Sequence, residues 1–110
     1  MANQSDRLDR VLAALADPTR RTMLDRMSRG PVSVSHLAEP FGIALPTALK
    51  HVGVLVDAGL VVTTKRGRVR ACAVRPGALD DAAAWITDRQ RTWDHRLRSL
   101  DRVLHEEETS

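Results

Sequence analysis

Three polar side chains, Thr47, Lys50 and His51, stand at spacings that place them near one face of a helix over residues 44–57. A hydroxyl, an ammonium and an imidazole are hydrogen-bonding groups that can reach base edges or phosphate oxygens. The apolar residues that recur at helical intervals on another face are Ala48, Val52 and Leu55. A merely solvated helix face would ordinarily carry charge pairs, and this stretch holds few charges. The polar face is therefore a candidate binding surface.

The charges of the chain are unevenly distributed. The net charge is +3, but residues 44–75 hold six Lys and Arg against a single Asp, a balance of +5. Residues 76–110 balance to −3. Such a basic segment beside an acidic one predicts a polyanionic partner that docks on the middle third of the chain. The alternative is a basic surface that is simply solvated.

Length and composition favour one small globular domain over residues 1–110. No stretch approaches the roughly 20 apolar residues of a membrane span, and the first ten residues lack the apolar core of a signal peptide. We therefore expect a cytoplasmic protein with no membrane partner. Neither a Gly-rich phosphate loop nor a nucleophile with a base at a recognisable spacing is present, so we expect no catalytic residues and no enzyme activity.

The elements that must position the polar face can be predicted from apolar spacing and helix caps. Asp17 and Ser33 are good caps for helix N-termini, and Pro18 suits a first helical turn. The predicted helices cover residues 6–16, run from Pro18 to Gly30, run from Ser33 to before Gly42, and cover 44–57. The last two are joined by the tight turn FGIA and form a helix-turn-helix over residues 33–57.

Beyond Gly59 the pattern changes from helix to strand. β-Branched residues lie on both sides of KRG, where Gly67 can take a positive φ, and they predict a hairpin with strands 60–64 and 68–74. One face of the second strand is apolar and the other is basic near the tip. A helix-turn-helix followed by a basic hairpin, the wing over 60–74, predicts a mainly α fold with a small β-hairpin (α+β). In such a winged helix-turn-helix, the helix 44–57 enters the major groove of double-stranded DNA.

The last predicted helix, residues 78–105, carries a heptad seam. Its members, in steps of four and three, are Leu79, Ala83, Ile86, Gln90, Trp93, Leu97, Leu100 and Leu104. The small domain that precedes it cannot cover an apolar stripe of roughly 40 Å. We therefore expect a homodimer formed through the first helix, 6–16, and the last. The predicted interface residues are Leu8, Leu12, Ile86, Trp93, Leu97, Leu100 and Leu104.

Four stretches resemble the ArsR family of dimeric bacterial repressors. They are ALADPTRRTML at 14–24, VSVSHLAEPFGIALPTALKHVGVLVDAGLV at 32–61, KRGRVRACAV at 65–74, and WDHRLRSLDRVL in the last helix. The match covers about residues 8–104. The forms LPTALKHV and RGRVRAC, with a Trp-containing last helix, resemble the branch that lacks the metal-binding cysteines. The resemblance implies transcriptional repression by occlusion of an operator, which a symmetric dimer would meet as an inverted repeat.

The resemblance also assigns roles on DNA. It places Thr47 and Lys50 against base edges and phosphates, while Leu49 replaces the family's common Ser and could contact a thymine C5-methyl group. His51 matches the family's habitual His, which would donate to a phosphate or, alternatively, cap local backbone groups. Gly53 replaces the usual basic residue, which removes one phosphate contact. The predicted DNA-binding residues are Pro46, Thr47, Leu49, Lys50, His51, Lys65, Arg66, Arg68 and Arg70.

A metal site is not expected. The region where similar sensors place a Cys-x-Cys pair reads SVSHLAEP, and Cys72 is the only cysteine. In the last helix, His95 and His105 are separated by nine residues, and Trp93 stands where zinc-binding relatives have Asp. This spacing misaligns the ligands, so we expect neither a metal nor another cofactor. For Cys72, a small buried residue is favoured over a redox switch.

Other functions are left open by the sequence. Trp85 and Trp93 lie near the seam, where they pack at a dimer interface or bind an unknown small apolar effector between the last helices. A winged-helix protein-interaction module without DNA binding is the alternative to a repressor, favoured only by Gly53 and by the weak N-terminal cap of the helix 44–57. A sensor with an unrecognised metal or small-molecule site is a further alternative.

Overall fold

The computed structural model describes residues 4–109, and the chain divides into two compact units, residues 1–79 and residues 80–110. The elements of the first unit are α1 (Gln4–Leu15), α2 (Pro18–Met27), β1 (Val32–Ser33), α3 (Val34–Ala38), α4 (Leu45–Asp57), β2 (Val61–Arg66) and β3 (Val69–Val74). A 3₁₀ turn over Glu39–Phe41 lies between α3 and α4. The second unit holds α5 (Asp80–Thr109). Between residues 4 and 109, no helix has both the length and the apolar character needed to span a bilayer.

The mainly α fold with a small β-hairpin is confirmed, with the helix-turn-helix in α3 and α4 and the wing in β2 and β3. The sequence did not predict β1, which pairs with β3 and completes an antiparallel sheet of order β1-β3-β2. A strand of two residues carries no readable alternation, which is why it was missed. α5 begins two residues later than predicted and ends at Thr109 rather than at 105. Glutamate favours helix, so the acidic run 106–108 continues it.

Helix starts follow the predicted caps. The Asp17 carboxylate accepts a hydrogen bond of 3.1 Å from the Arg20 backbone N–H, and Ser33 Oγ accepts one of 3.2 Å from the His36 backbone N–H. Helix ends are less regular, because α2 ends at Met27 rather than at Gly30. Proline disfavours helical geometry at the residue before it, yet Glu39, which precedes Pro40, has φ −52° and ψ −52°. Pro40 needs no N–H bond in the first turn of a 3₁₀ helix, so the chain leaves helical geometry only at residue 42.

The core of the first unit is apolar and draws on α1 to α4 and on the sheet. Its largest fully buried side chains are Met23, Met27, Leu37, Leu55, Leu60 and Cys72. The inward face predicted for α4, with Ala48, Val52 and Leu55, is confirmed. Burial raises the pKa of the Cys72 thiol, which keeps the sulfur protonated and favours the structural interpretation of this cysteine.

The junction between α4 and the wing is fixed by a Schellman motif. Gly59 has φ +76° and donates its N–H to the Val56 carbonyl at 2.9 Å, while Leu60 donates to the Leu55 carbonyl at 3.0 Å. Leu55 and Leu60, the two residues whose apolar contact often accompanies this motif, are both buried. The end of α4 therefore sets where β2 begins.

The wing is a hairpin with a two-residue turn at Gly67 and Arg68. Arg66 pairs with Val69, and Gly67 has φ +60°, as a tight hairpin turn with glycine at its first position requires. Cys72 faces the core, so the face of β3 that carries Val69, Ala71 and Ala73 points to the other side of the sheet.

Candidate nucleic-acid interface

α4 exposes the face that the sequence predicted. Its exposed residues include Pro46, Thr47, Leu49 and Lys50, while Ala48, Val52 and Leu55 are buried. The 3.6-residue repeat of a helix makes this division, because the buried set repeats at intervals of three and four. Leu45 and Leu49 are 47% and 40% exposed, so the face is partly apolar.

The N-terminus of α4 lacks a side-chain cap. Ala44 occupies the cap position in an extended conformation, and Pro46 in the first turn has no N–H to donate. The backbone N–H groups of Leu45 and Thr47 belong to this uncapped turn. Amides at the positive end of a helix dipole are suited to a phosphate oxygen.

A cleft of about 380 Å³ lies between α4 and the wing. Its lining residues are Ser33, Val34, Ser35, Leu45, Leu49, Lys65, Arg68, Val69 and Arg70. The structure thus brings Leu49 together with three of the four predicted wing cations. The cleft joins apolar side chains to cationic and hydroxyl donors, a combination that suits a base edge next to its phosphate.

Arg66 lies apart from the other wing cations. Alternation along β2 directs Lys65 and Arg66 to opposite faces of the sheet. Arg66 lines a second pocket of about 340 Å³, with Val62, Thr64 and Val69 among its neighbours. Arg66 ends β2 and Arg68 lies in the turn, and the two side chains line different pockets.

The basic side chains of this surface are not neutralised from within. Over residues 4–109, none of the five cations on α4 and the wing forms an ion pair with a carboxylate. These cations are Lys50, Lys65, Arg66, Arg68 and Arg70, and all are exposed. Their positive charge is available to a polyanion, and its attraction will fall as salt rises.

His51 contacts a side chain of another helix, which the sequence did not predict. Its ring is half-buried, and Nδ1 lies 3.3 Å from Nη1 of Arg20. The partner is therefore the side chain of another helix and not a local backbone group. Whether Nε2 meets a phosphate stays a prediction.

Two arginines that were not predicted as site residues, Arg20 and Arg21, connect α2 to the end of α1. Arg20 donates from Nε to the Ala14 carbonyl at 2.8 Å and from Nη2 to the Ala13 carbonyl at 3.0 Å, and Arg21 donates to the Leu15 carbonyl at 2.6 Å. The position of these arginines in the sequence could have predicted such contacts. Both stand in the first turn of α2, where the helix dipole disfavours cations, so each needed an acceptor elsewhere. Ser35 and Leu45 of the cleft were also missed.

The predicted interface residues of α1 and α5 are not buried in one chain. Leu8 is half-buried and Leu12 is 38% exposed in α1, and the α5 side chains Ile86, Trp93, Leu97, Leu100 and Leu104 are 49–66% exposed. Trp85 instead packs against its own helix, with the Arg89 guanidinium 4.6 Å from its ring centre.

Potential metal ligands are scattered in the part of the chain that the structure describes. Between residues 4 and 109, no three His, Cys, Asp or Glu side chains lie close enough to hold an ion. The surface of α4 and the wing offers hydrogen bonds, charge and apolar contact.

Comparison with known proteins places this geometry in a family. Residues 15–64 match a family model described as a helix-turn-helix domain. The chain is 34% identical over 99 residues to the HTH-type transcriptional regulator Rv2034 of Mycobacterium tuberculosis, covering 90% of each chain. It is 28% identical over 79 residues to the transcriptional repressor SdpR of Bacillus subtilis, covering 72% of this chain and 88% of that one.

A solved structure extends the match to three dimensions. The crystal structure of an ArsR family transcriptional regulator superposes with a TM-score of 0.78 at 46% identity, covering 86% of this chain and 97% of that one. Identity and coverage of this order, over a shared winged helix-turn-helix, assign both fold and function class. The chain belongs to the ArsR family of DNA-binding transcriptional regulators, which are not enzymes.

Proposed function

We propose that this protein is a homodimeric cytoplasmic repressor that occludes an inverted-repeat operator in double-stranded DNA. The observation that carries the proposal is the surface of α4 and the wing, where five exposed cations lack carboxylate partners within residues 4–109. A protein-interaction module would have no need for so much unneutralised charge beside the partly apolar face of α4.

Within this surface, α4 reads the bases and the wing holds the backbone. Lys50 can donate to guanine O6 or N7 or to a phosphate, the Thr47 and Leu49 side chains can contact thymine methyl groups, and Pro46 lies in the first turn that approaches the groove. The wing cations are Lys65, Arg66, Arg68 and Arg70. They contact phosphates, with the pair at the turn reaching toward the minor groove.

A second copy covers the exposed apolar side chains of α1 and α5. Apolar side chains that recur along one helix and are 49–66% exposed, as in α5, are typical of an interface and not of a free surface. A two-fold axis between copies makes the contact self-complementary and presents two α4 helices to DNA. The two half-sites then lie roughly one helical turn apart, or slightly more, with inverted symmetry.

Selection of bound duplexes from a random pool tests the proposal. The enriched sequences should contain two inverted half-sites, each a few base pairs long, and the bound species should contain two chains per duplex. A pool with no enrichment, despite a folded protein, would contradict sequence-specific binding and favour the protein-interaction module.

A further inference from the structure

We infer that Arg20 is a positioning residue for DNA recognition, because it sets the tautomer of His51 on α4 and ties that helix to the end of α1. The two residues are 31 positions apart, and their contact joins α2 to α4. The inference rests on the proposed function in one respect, which is that α4 is the helix that meets DNA.

The Arg20 guanidinium is engaged at all three nitrogens. Nε and Nη2 donate to the carbonyls of Ala14 and Ala13, and Nη1 lies 3.3 Å from His51 Nδ1 and 3.8 Å from an Asp17 carboxylate oxygen. A planar fork held at three corners has little rotational freedom. The contacts with α1 and with Asp17 therefore fix the position of Nη1 independently of the imidazole.

This contact selects one tautomer of the ring. A guanidinium has donors and no acceptor, so Nδ1 of His51 must be the acceptor and must carry no proton. The ring proton therefore lies on Nε2. Arg20 thereby leaves Nε2–H as the single hydrogen-bond donor of the His51 side chain, ready for a phosphate or base acceptor.

The same side chain links two elements with different tasks. Ala13 and Ala14 lie in the last turn of α1. The same helix carries Leu8 and Leu12 of the proposed interface between copies. Arg21 donates to the Leu15 carbonyl, but no hydrogen bond or ion pair joins it to α4 within residues 4–109. Arg20 therefore couples the placement of α1 to the placement of His51, whereas Arg21 anchors α1 alone.

The test compares Arg20→Met with Arg21→Met, two adjacent variants that lose the same charge. The first measurement is ¹⁵N NMR of the imidazole nitrogens, with His51→Gln used to assign the signals of His51. Wild type and Arg21→Met should show the Nε2–H tautomer, while Arg20→Met should show a mixture of tautomers. An unchanged tautomer in Arg20→Met would overturn the inference, and this measurement needs no DNA.

The second measurement is affinity for the selected operator. Arg20→Met should bind about 5- to 30-fold more weakly than Arg21→Met, as expected for losing a hydrogen bond to a positioned group. In the His51→Gln background, the same substitution of Arg20 should change affinity little, because its effect passes through His51. Equal losses in both backgrounds would overturn the inference. If Arg20→Met does not fold, Arg20→Lys replaces it, since Lys keeps the charge and loses the fork.

The two hypotheses fail in different ways. If the wild-type protein binds no duplex but shows the Nε2–H tautomer that Arg20→Met disturbs, the proposed function is wrong and the Arg20–His51 coupling stands. If the protein binds its operator and Arg20→Met matches Arg21→Met in both measurements, only the coupling is wrong.

Discussion

Leu49 gives the reading face of α4 its apolar character. It is 40% exposed, lines the cleft beside Leu45, and replaces the Ser that is common at this position in the family that the sequence resembles. A leucine side chain cannot hydrogen-bond to a base edge. In the major groove, the apolar feature that distinguishes one natural base from the others is the C5-methyl group of thymine. Leu49 should therefore favour thymine at the position it faces.

Replacing single thymines of the operator by deoxyuridine tests this preference, since the change removes only a methyl group. One symmetry-related pair of positions should lose about 1 kcal/mol per half-site, the value of one buried methyl group. In the Leu49→Ala protein this loss should shrink, as binding competition would measure. Thr47→Ser is the matched control, because it removes one methyl from the neighbouring residue. A loss that survives Leu49→Ala but vanishes in Thr47→Ser would assign the contact to Thr47 instead.

Side-chain positions on a single helix could be predicted, but pairings between helices could not. The exposure of Thr47 and Lys50 follows from the helical repeat alone. The partner of His51 does not, because Arg20 belongs to another helix and meets it only through tertiary packing. Ser35 was not predicted as a site residue for the same reason, since its place in the cleft depends on how α3 packs against the wing.

Substitution of Gly53, within α4, and of Gly59, after its C-terminus, distinguishes the cost of backbone conformation from the cost of a steric clash. A Cβ at Gly53 or at Gly59 would meet no atom within 4 Å, but only Gly59 has a positive φ. Gly53→Ala should therefore stabilise the fold by about 0.5–1 kcal/mol, because alanine loses less backbone entropy in a helix. Gly59→Ala should destabilise it by roughly 1 kcal/mol, the cost of left-handed backbone for a residue with a Cβ. Denaturant unfolding of both variants measures the difference.

The sign of each effect is the informative result. Opposite signs would confirm that the Schellman motif, and not free space, fixes glycine at the end of α4. A destabilised Gly53→Ala protein would mean that the middle of α4 is not the regular helix described above.

At the level of elements, the sequence predicted what is long and periodic and missed what is short. α4 and the hairpin follow from repeats of 3.6 and 2 residues, and Asp17 and Ser33 act as the predicted caps. β1 has only two residues and forms because β3 offers it a partner. Glu39 keeps helical geometry although Pro40 follows it, because the 3₁₀ turn directly follows α3.

Assembly of the whole molecule depends on the heptad seam of α5. Changing Leu97 and Leu100 together to Lys would place like charges in the proposed interface, which should give monomers or unfolded chains. Sedimentation at micromolar concentration measures the mass, and circular dichroism separates the two outcomes. Thr92→Lys with Ser99→Lys adds the same charge outside the seam and should leave the dimer intact. A wild-type monomer under these conditions would contradict the proposed assembly.

DNA binding by the whole molecule should divide between α4 and the wing. Lys50→Ala should weaken the operator by about 1–3 kcal/mol per half-site and random DNA less, because it removes a contact to base edges. Changing Arg66 and Arg68 together to Ala should weaken every duplex, because these cations act mainly through phosphates. The double change should lower the slope of log affinity against log salt by about one to two per wing.

The most direct measurement is therefore the salt dependence of affinity for operator and scrambled duplexes, made on wild type, Lys50→Ala and the Arg66, Arg68 double variant. A sequence-specific repressor should bind the operator more tightly than the scrambled duplex, lose mainly that difference in Lys50→Ala, and lose mainly the salt slope in the wing variant. Equal wild-type affinity for both duplexes would contradict sequence-specific repression. The division between α4 and the wing would be contradicted if the wing variant kept the wild-type salt slope and Lys50→Ala lost affinity equally on both duplexes.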